Sequence, residues 1–293
     1  MKKISLCFLD NFPSTEEGIF SLTNCSKALL KKIKLSKKFL QRSIKYKDEI
    51  ELPINLINAG KINPLYHGQD VEIISRRSNF MAISKPAKIH CHPLCYDESD
   101  NLLSFLRSRG ESDLLNINKE RYDRGLLYRL DYETSGLVLY ATNEKVYNDI
   151  RANFSEIAKV KKYRAVVIGK CNSKKELKHF LKPSGIKNNL IKVNDSFQED
   201  HLESLINIEL IEYSAEKNLS LIEVELFEGH RHQIRAQVSA YGFPILGDPL
   251  YSKSINERMY LHCYSYTLVY NAETLVFKDE TPQSFLDLFG LNS

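Results

Sequence analysis

No apolar run in this chain of 293 residues approaches the roughly 20 needed to cross a bilayer, which excludes a membrane-spanning helix as its organising element. The opening MKKISLCFLD carries two lysines but only a six-residue apolar run before Asp10. That is short for a secretory signal. No internal repeat or low-complexity tract occurs, so a repeat architecture is excluded as well. Charge of one sign is scarce: 41 Lys and Arg stand against 37 Asp and Glu, a net +4. Any affinity for nucleic acid therefore rests on where the cations sit, not on their excess. Without a secretory signal, the six cysteines at 7, 25, 91, 95, 171 and 263 read as reduced thiols, and the expected location is cytoplasmic.

What is present is ordinary for a folded protein: 43% hydrophobic and 27% charged residues. The length suits one large or two modest domains. Cation placement is informative. From 27 to 47 there are nine Lys or Arg and no Asp or Glu. Such a run is either a solvated helical face or a patch facing phosphates, which would gain affinity by releasing counterions. Ser26 or Asn24 caps a short helix through Lys34, and Ser36 caps a second with Leu40 and Ile44 on one face. Asn58-Ala59-Gly60 reads as a turn, and Gly68-Gln69-Asp70 precedes the strand-like Val71-Glu72-Ile73-Ile74. The expectation is a small basic α/β module over 1–75 and a larger domain over 76–293, with Arg76-Arg77 and Ser78-Asn79 as the connection.

Strand signals dominate from Phe80 onward. Residues 136–142 form an almost wholly apolar strand, consistent with burial on both faces. Asn143 caps a helix carrying Val146, Ile150, Phe154 and Ile157 on one stripe. A second strand spans 160–168. Residues 205–213 and 219–227 alternate and form a hairpin around Ala-Glu-Lys-Asn. Residues 232–241 suit a helix that Gly242 stops. Strands at 259–270 and 273–278 follow. The pattern predicts an α+β fold, a mainly antiparallel mixed β-sheet flanked by helices, and not an alternating βαβ series.

Four segments carry chemistry-bearing side chains. His90-Cys91-His92-Pro93-Leu94-Cys95 places four metal-capable groups within six residues. A structural zinc site usually draws on a distant second pair, and none follows at the required spacing, so the expectation is a loop with no metal. A cysteine–histidine nucleophile has no local support either. Arg129-Leu130-Asp131 precedes a turn cluster and the apolar strand; such residues are either a surface ion pair or the working groups of a site. Glu228-Gly229-His230-Arg231-His232-Gln233-Ile234-Arg235 begins a helix with cations, against the helix dipole. That cost calls for an anionic group nearby, a phosphate or a carboxylate. In Lys161-Lys162-Tyr163-Arg164, the tyrosine either packs in the core or offers a ring for a base to stack on.

Together these segments resemble the RluA-type RNA pseudouridine synthases. Arg129-Leu130-Asp131 with Thr134-Ser135-Gly136-Leu137 is similar to the family's RLDxxTSGL signature. Lys161 and Tyr163 match its K-x-Y strand, and His232-Gln233-Ile234-Arg235 its HQIR helix. Residues 244–251 match its GDPLY-type loop, Lys85-Pro86 and His92-Pro93 its upstream segment, and Leu261-His262 a late Leu-His position. The matches run in order over about two thirds of the chain. The N-terminal module is similar, more faintly, to the alpha-L RNA-binding motif. Two departures stand out: Tyr128 where the family commonly has His, and Gly229-His230-Arg231 where it has Gly-Arg-Thr.

The resemblance implies isomerisation of a uridine in RNA to pseudouridine, with the target base first extruded from its stack. It implies Asp131 as the essential carboxylate at the ribose, paired with Arg235, and Tyr163 stacked on the flipped uracil. It implies Arg129 entering the vacated space and Leu261 walling the pocket, with His232 and Gln233 as further substrate contacts. The expected RNA-binding residues of the basic module are Lys31, Lys34, Lys37, Lys38 and Arg42. No cofactor is implied. The partner is RNA, with ribosomal RNA of the large subunit favoured over transfer RNA because a second phosphate-binding surface suits a large structured target. A competing expectation is a non-catalytic RNA-binding or ribosome-assembly factor on the same fold, motivated by the departures at 128 and 230–231. An unrelated hydrolase using the Asp and His residues is a third.

Overall fold

A computed structural model describes residues 2–57, 61–77, 79–119, 121–171, 174–184, 190–254 and 256–292. They form two compact units. One comprises Met1–Gly68 and His92–Arg124; the other comprises Gln69–Cys91 and Gly125–Ser293.

In the first unit, strand β1 (Lys3–Cys7) pairs antiparallel with β2 (Glu49–Pro53). Ile50 and Leu52 alternate with exposed glutamates, so one face of the ribbon is buried. Helices α1 (Thr15–Thr23), α2 (Lys27–Lys32) and α3 (Lys37–Gln41) lie between these strands in sequence. Each starts at a serine whose Oγ accepts a backbone N–H three residues on: Ser14 from Glu17 (3.2 Å), Ser26 from Leu29 and Ser36 from Phe39 (both 3.1 Å). Each cap contributes about 1 kcal/mol. Asn24 has the other role. It ends α1 in the left-handed region, with φ 54°, while Ser26 alone caps α2. Phe8, Ile19, Leu30, Ile44, Leu52 and Leu56 form the core of the unit. Helix α4 (Leu102–Ser108), capped by Asn101, belongs to the same unit, so residues 92–124 group with the N-terminal segment. The expected turn at Asn58-Ala59-Gly60 lies outside the described residues.

The second unit is built on a ten-stranded mixed sheet. Its strands are β3 (Glu72–Arg77), β4 (Phe80–Lys85), β5 (Ser135–Ala141), β6 (Ala158–Ile168), β7 (Lys174–Ser184), β8 (Leu190–Asn194), β9 (Leu202–Ser214), β10 (Leu219–Leu226), β11 (Leu261–Tyr270) and β12 (Glu273–Lys278). The spatial order is β3-β4-β5-β11-β6-β10-β9-β7-β8, with β12 also on β11. Of these pairings β5–β11 is parallel and the others are antiparallel. Strand β5 is buried at every position, as its unbroken apolar run demands. The hairpin of β9 and β10 forms as the alternation predicts. Arg76 and Arg77, expected in a connection, instead end β3 opposite Met81 and Phe80. The expected boundary between 75 and 76 thus falls inside a strand.

Helix α5 (Glu144–Ala152) is capped by Asn143, whose Oδ1 accepts from Val146 N at 3.0 Å. The helix expected to continue through Ile157 breaks at Asn153 (φ −126°, ψ 32°) and resumes as the one-turn α6 (Phe154–Ile157). Helix α7 (Gln233–Ala240) follows β10, and α8 (Gln283–Leu286) lies near the C-terminus. Gly136 has φ +116°, and a Cβ there would lie 2.4 Å from the backbone N and O of Cys263. Only glycine lets β5 and β11 meet at His262↔Ser135 and Cys263↔Gly136. No helix among the described residues is long and apolar enough to cross a membrane.

Candidate active site

The helix that begins with cations finds its anions. Arg235, in the first turn of α7, is 1% exposed. Its Nε and Nη2 donate to the two carboxylate oxygens of fully buried Asp248 at 2.8 and 2.9 Å. Its Nη1 donates to Asp131 Oδ2 at 3.0 Å and lies 3.5 Å from Glu133 Oε2. The fork grips Asp248 with one edge and leaves the third nitrogen for Asp131. Burial alone would lower the guanidinium pKa, but the bonds and charge of Asp248, followed by those of Asp131, raise it above its usual range. Burial would raise Asp248, but Arg235 and the N–H groups of Leu250 and Tyr251 hold its carboxyl below the usual value.

Asp131 sits just before β5, and its backbone carbonyl accepts from Thr134 N at 3.2 Å in the turn of the Thr134-Ser135-Gly136 segment. Its side chain and that of Glu133 are each 28% exposed, so two carboxylates of this cluster reach solvent while the guanidinium beside them does not; Asp131 is the one bonded at 3.0 Å. His232 Nε2 is 3.8 Å from the same Oδ2. His232 occupies the N-cap of α7 with φ +52° and makes no side-chain cap, which turns its ring toward Tyr251 (Nδ1 to Oη 3.1 Å). Burial, first, lowers the His232 pKa; Asp131 opposes that.

Asp131, His232 and Arg235 are therefore one cluster. Tyr163 lies on β6 opposite Cys263 of β11, almost fully buried. Its hydroxyl is 3.5 Å from that of Tyr266, whose ring stacks on Tyr128 at 4.1 Å and 5°. Burial pushes all three phenols well above their usual pKa. Leu261 opens β11 opposite Ala165, two residues along β6 from Tyr163. Arg129 is exposed beside buried Leu130. Gln233 is wholly engaged in the scaffold. Its Oε1 accepts from Gly229 N and His230 N at 3.0 Å, and its Nε2 donates to Leu205 O and Glu228 Oε2. It ties the loop before α7 to β9. In the other unit Lys31, Lys34, Lys37, Lys38 and Arg42 are all exposed, and Arg42 bonds Asp48 at 3.3 Å.

Asp248, Glu133 and Tyr251 are the members that sequence reasoning did not single out, although each lies inside a quoted motif. The only signal was the expectation that α7 needed an anion near its first turn.

A second polar cluster lines a cavity of about 510 Å³ in this unit. Arg258 Nη2 donates to Ser135 Oγ at 2.7 Å, and Ser135 Oγ is 3.0 Å from His262 Nδ1. His262 Nε2 donates to Asp279 O at 3.1 Å. Buried Lys85 donates to the carbonyls of Pro86 and Ile89 at 2.9 Å and of Tyr132 at 3.4 Å. Burial lowers Lys85 to about 8 and His262 to about 4, and raises Asp279 to about 6. Among the described residues no group of three or more His, Cys, Asp or Glu is placed to hold a metal ion. Within the HCHPLC segment, Cys91 Sγ accepts from Leu130 N at 3.3 Å.

A model of the RNA pseudouridylate synthase family matches residues 79–240, which hold Asp131, Tyr163, His232 and Arg235. The chain belongs to that family. It is 28% identical over 188 residues to the ribosomal large subunit pseudouridine synthase D of Zymomonas mobilis, covering 64% of this chain and 58% of that protein. It is 32% identical over 183 residues to the ribosomal large subunit pseudouridine synthase C of Rickettsia felis, covering 56% of this chain and 59% of that protein. The chain thus spans somewhat under two thirds of the length of these two relatives. Among solved structures, human RNA pseudouridylate synthase domain containing 1 shares the fold with a TM-score of 0.60, 21% identity, and coverage of 73% of this chain and 84% of that one.

Proposed function

We propose that this family member is an isomerase that converts specific uridines of structured RNA to pseudouridine, with Asp131 as the acting carboxylate. The observation that carries this reading is the Arg235 Nη1–Asp131 Oδ2 bond of 3.0 Å. A buried guanidinium bonded to a solvent-reaching carboxylate holds it in a fixed direction. In the reaction the bond from ribose C1′ to the uracil nitrogen breaks, and a bond from C1′ to ring carbon 5 forms. Carbon 5 loses its proton and the freed nitrogen gains one. Asp131 acts at the sugar, as nucleophile or as base. The expelled uracil stays in the site, and exclusion of water prevents its loss by hydrolysis. Tyr163 meets the uracil face, Leu261 walls the pocket, and exposed Arg129 enters the RNA where the base has left it. Substrate binding requires no cofactor or metal in this scheme.

The exposed Lys31, Lys34, Lys37, Lys38 and Arg42 are the phosphate-contacting residues of the basic module. The target is large-subunit ribosomal RNA rather than transfer RNA, as the names of the relatives suggest, and the site of action is the cytoplasm. Replacing these five cations by Gln is expected to lower the slope of log affinity against log salt by about three to four. An unchanged slope assigns the run to a solvated face.

The deciding test is a carbodiimide-based pseudouridine map of ribosomal and transfer RNA from cells lacking the protein, complemented with wild type or Asp131→Ala. Specific sites restored by wild type alone establish the activity and name the RNA. An unchanged map, with the protein expressed, favours a binding factor or a target outside these two RNA classes.

A further inference from the structure

Among the described residues His232 is the one imidazole against Asp131, and its two nitrogens face different partners. Nδ1 faces Tyr251 Oη at 3.1 Å, and Nε2 faces Asp131 Oδ2 at 3.8 Å. Which nitrogen carries the proton decides whether Asp131 meets an N–H or a lone pair. The rest of the network bears on the choice. The backbone N–H of Ile191, in β8, donates to Tyr251 Oη at 2.8 Å. That amide fills an acceptor site of the phenol oxygen and leaves the phenol O–H as the group with a proton to place. The unprotonated Nδ1 is the acceptor in reach, in a T-shaped contact with ring centroids 5.7 Å apart. With the phenol donating to Nδ1, the proton of neutral His232 resides on Nε2, toward the carboxylate.

Three further observations agree. The tyrosine is itself fixed: Tyr251 N donates to Asp248 Oδ1 at 3.1 Å, and the Arg235 guanidinium lies over its ring at 5.5 Å. Ile191 packs with Leu181 and Ala236, so β8 is anchored to α7 where it meets Tyr251. His232 adopts φ +52°, a conformation costly for a residue with a Cβ, and the result is a ring presented to Tyr251 rather than to the helix end.

We infer that Tyr251, held by the Ile191 amide, is a positioning residue that locks His232 in its Nε2–H tautomer, so that Asp131 is served by an N–H from His232 as well as by Arg235. The inference rests on Asp131 being the acting carboxylate. At 3.8 Å the N–H is poised rather than bonded. The N–H is then a second donor facing the carboxylate as it engages the ribose. Burial keeps His232 neutral, and Asp131 and Glu133 on one side and Arg235 and Arg231 on the other are the charges around it. The wrong tautomer would turn a lone pair toward Asp131 and repel it. This assigns a role to the β7–β8 hairpin: its backbone sets the proton position in the site.

The test is ¹⁵N-histidine NMR of the full chain near neutral pH, where the two ring nitrogens of a neutral imidazole resonate apart and report the tautomer. The His232 signals are identified by their loss in His232→Gln. Wild type is expected to show Nε2–H, and Tyr251→Phe a mixture or Nδ1–H. Tyr251→Phe is also expected to lower kcat about ten- to hundredfold with KM for RNA nearly unchanged. His232→Gln, whose amide can place an N–H near the Nε2 position, is expected to exceed His232→Leu by about tenfold or more in kcat. An Nδ1–H signal in wild type overturns the inference whatever the variants do. So does a Tyr251→Phe protein with unchanged nitrogen signals. Neither outcome depends on turnover, so failure here is distinct from failure of the Asp131 assignment, which a fully active Asp131→Asn enzyme would show.

Discussion

The sheet unit contains two clusters of buried charge that solve the same problem in opposite ways. Around Arg235, the charges are kept and matched: one guanidinium meets Asp248 and Asp131 at 2.8 to 3.0 Å. Around His262, burial shifts each group toward its neutral form, Lys85 to about 8, His262 to about 4 and Asp279 to about 6, so that at neutral pH the imidazole has lost its charge and the other two hold theirs less firmly. A buried ion is tolerated when paired and hydrogen-bonded; otherwise it sheds its charge. The first arrangement suits a site that must hold a carboxylate in place for a ligand. The second suits a set of side chains that closes backbone hydrogen bonds around the ends of β4, β5 and β11.

Arg235→Met should break the first cluster most severely. Asp248, 0% exposed, would keep only two backbone N–H donors. The expected loss is about 3–5 kcal/mol in urea unfolding, together with loss of activity. Asp131→Asn sharpens the contrast, because it leaves the Arg235–Asp248 fork intact. Turnover should vanish while stability changes by less than about 1 kcal/mol and RNA affinity by less than about tenfold.

The second cluster predicts a compensation in acid. A His262 pKa of about 4 against its usual 6.5 means the unfolded chain takes up a proton first as pH falls. Stability from this group is then lost between pH 6.5 and 4, by about 3 kcal/mol. Asp279, raised from 3.8 to about 6 by burial, holds its proton more tightly when folded. It restores about as much over nearly the same interval. Asp279→Asn removes the restoring half. On acidification from pH 6.5 to 4, the stability of wild type relative to this variant should therefore rise by about 2 kcal/mol. A flat difference in paired denaturation curves would disprove the raised Asp279 value. The smallest effect is expected from Ser135→Ala, which removes the hydroxyl between Arg258 and His262. It should cost about 1–3 kcal/mol of stability and leave kcat within about threefold, as a hydroxyl of this second cluster should.

Sequence patterning revealed what depends on local order. The all-apolar β5, the alternating β9 and β10 and the caps Ser26, Ser36 and Asn143 follow from residues close together in the chain. The hairpin of β7 and β8 did not, because Lys174, Lys175, Lys178 and Lys182 with Pro183 blur the alternation of a strand that buries Leu177 and Leu181. Of the site, the anion demanded by the cationic start of α7 was foreseen, and Asp131 was found through the family motif. The other half of the answer, Asp248, is 13 residues beyond Arg235 and needed the geometry of the folded loop. Tyr251 escaped notice because its partner is a backbone amide, which no side-chain motif announces.

Gly136 gives the sheet an unusual vulnerability. Its strand, β5, is tied to β11 by two register pairs, after which β12 takes over the edge of β11. In a saturation library, every replacement at this codon would behave as a loss-of-function allele, although no chemistry occurs there. A survey reading such intolerance as catalytic importance would misplace the active centre: selection at this position acts on assembly of the seam, and its phenotype would be missing protein rather than idle enzyme.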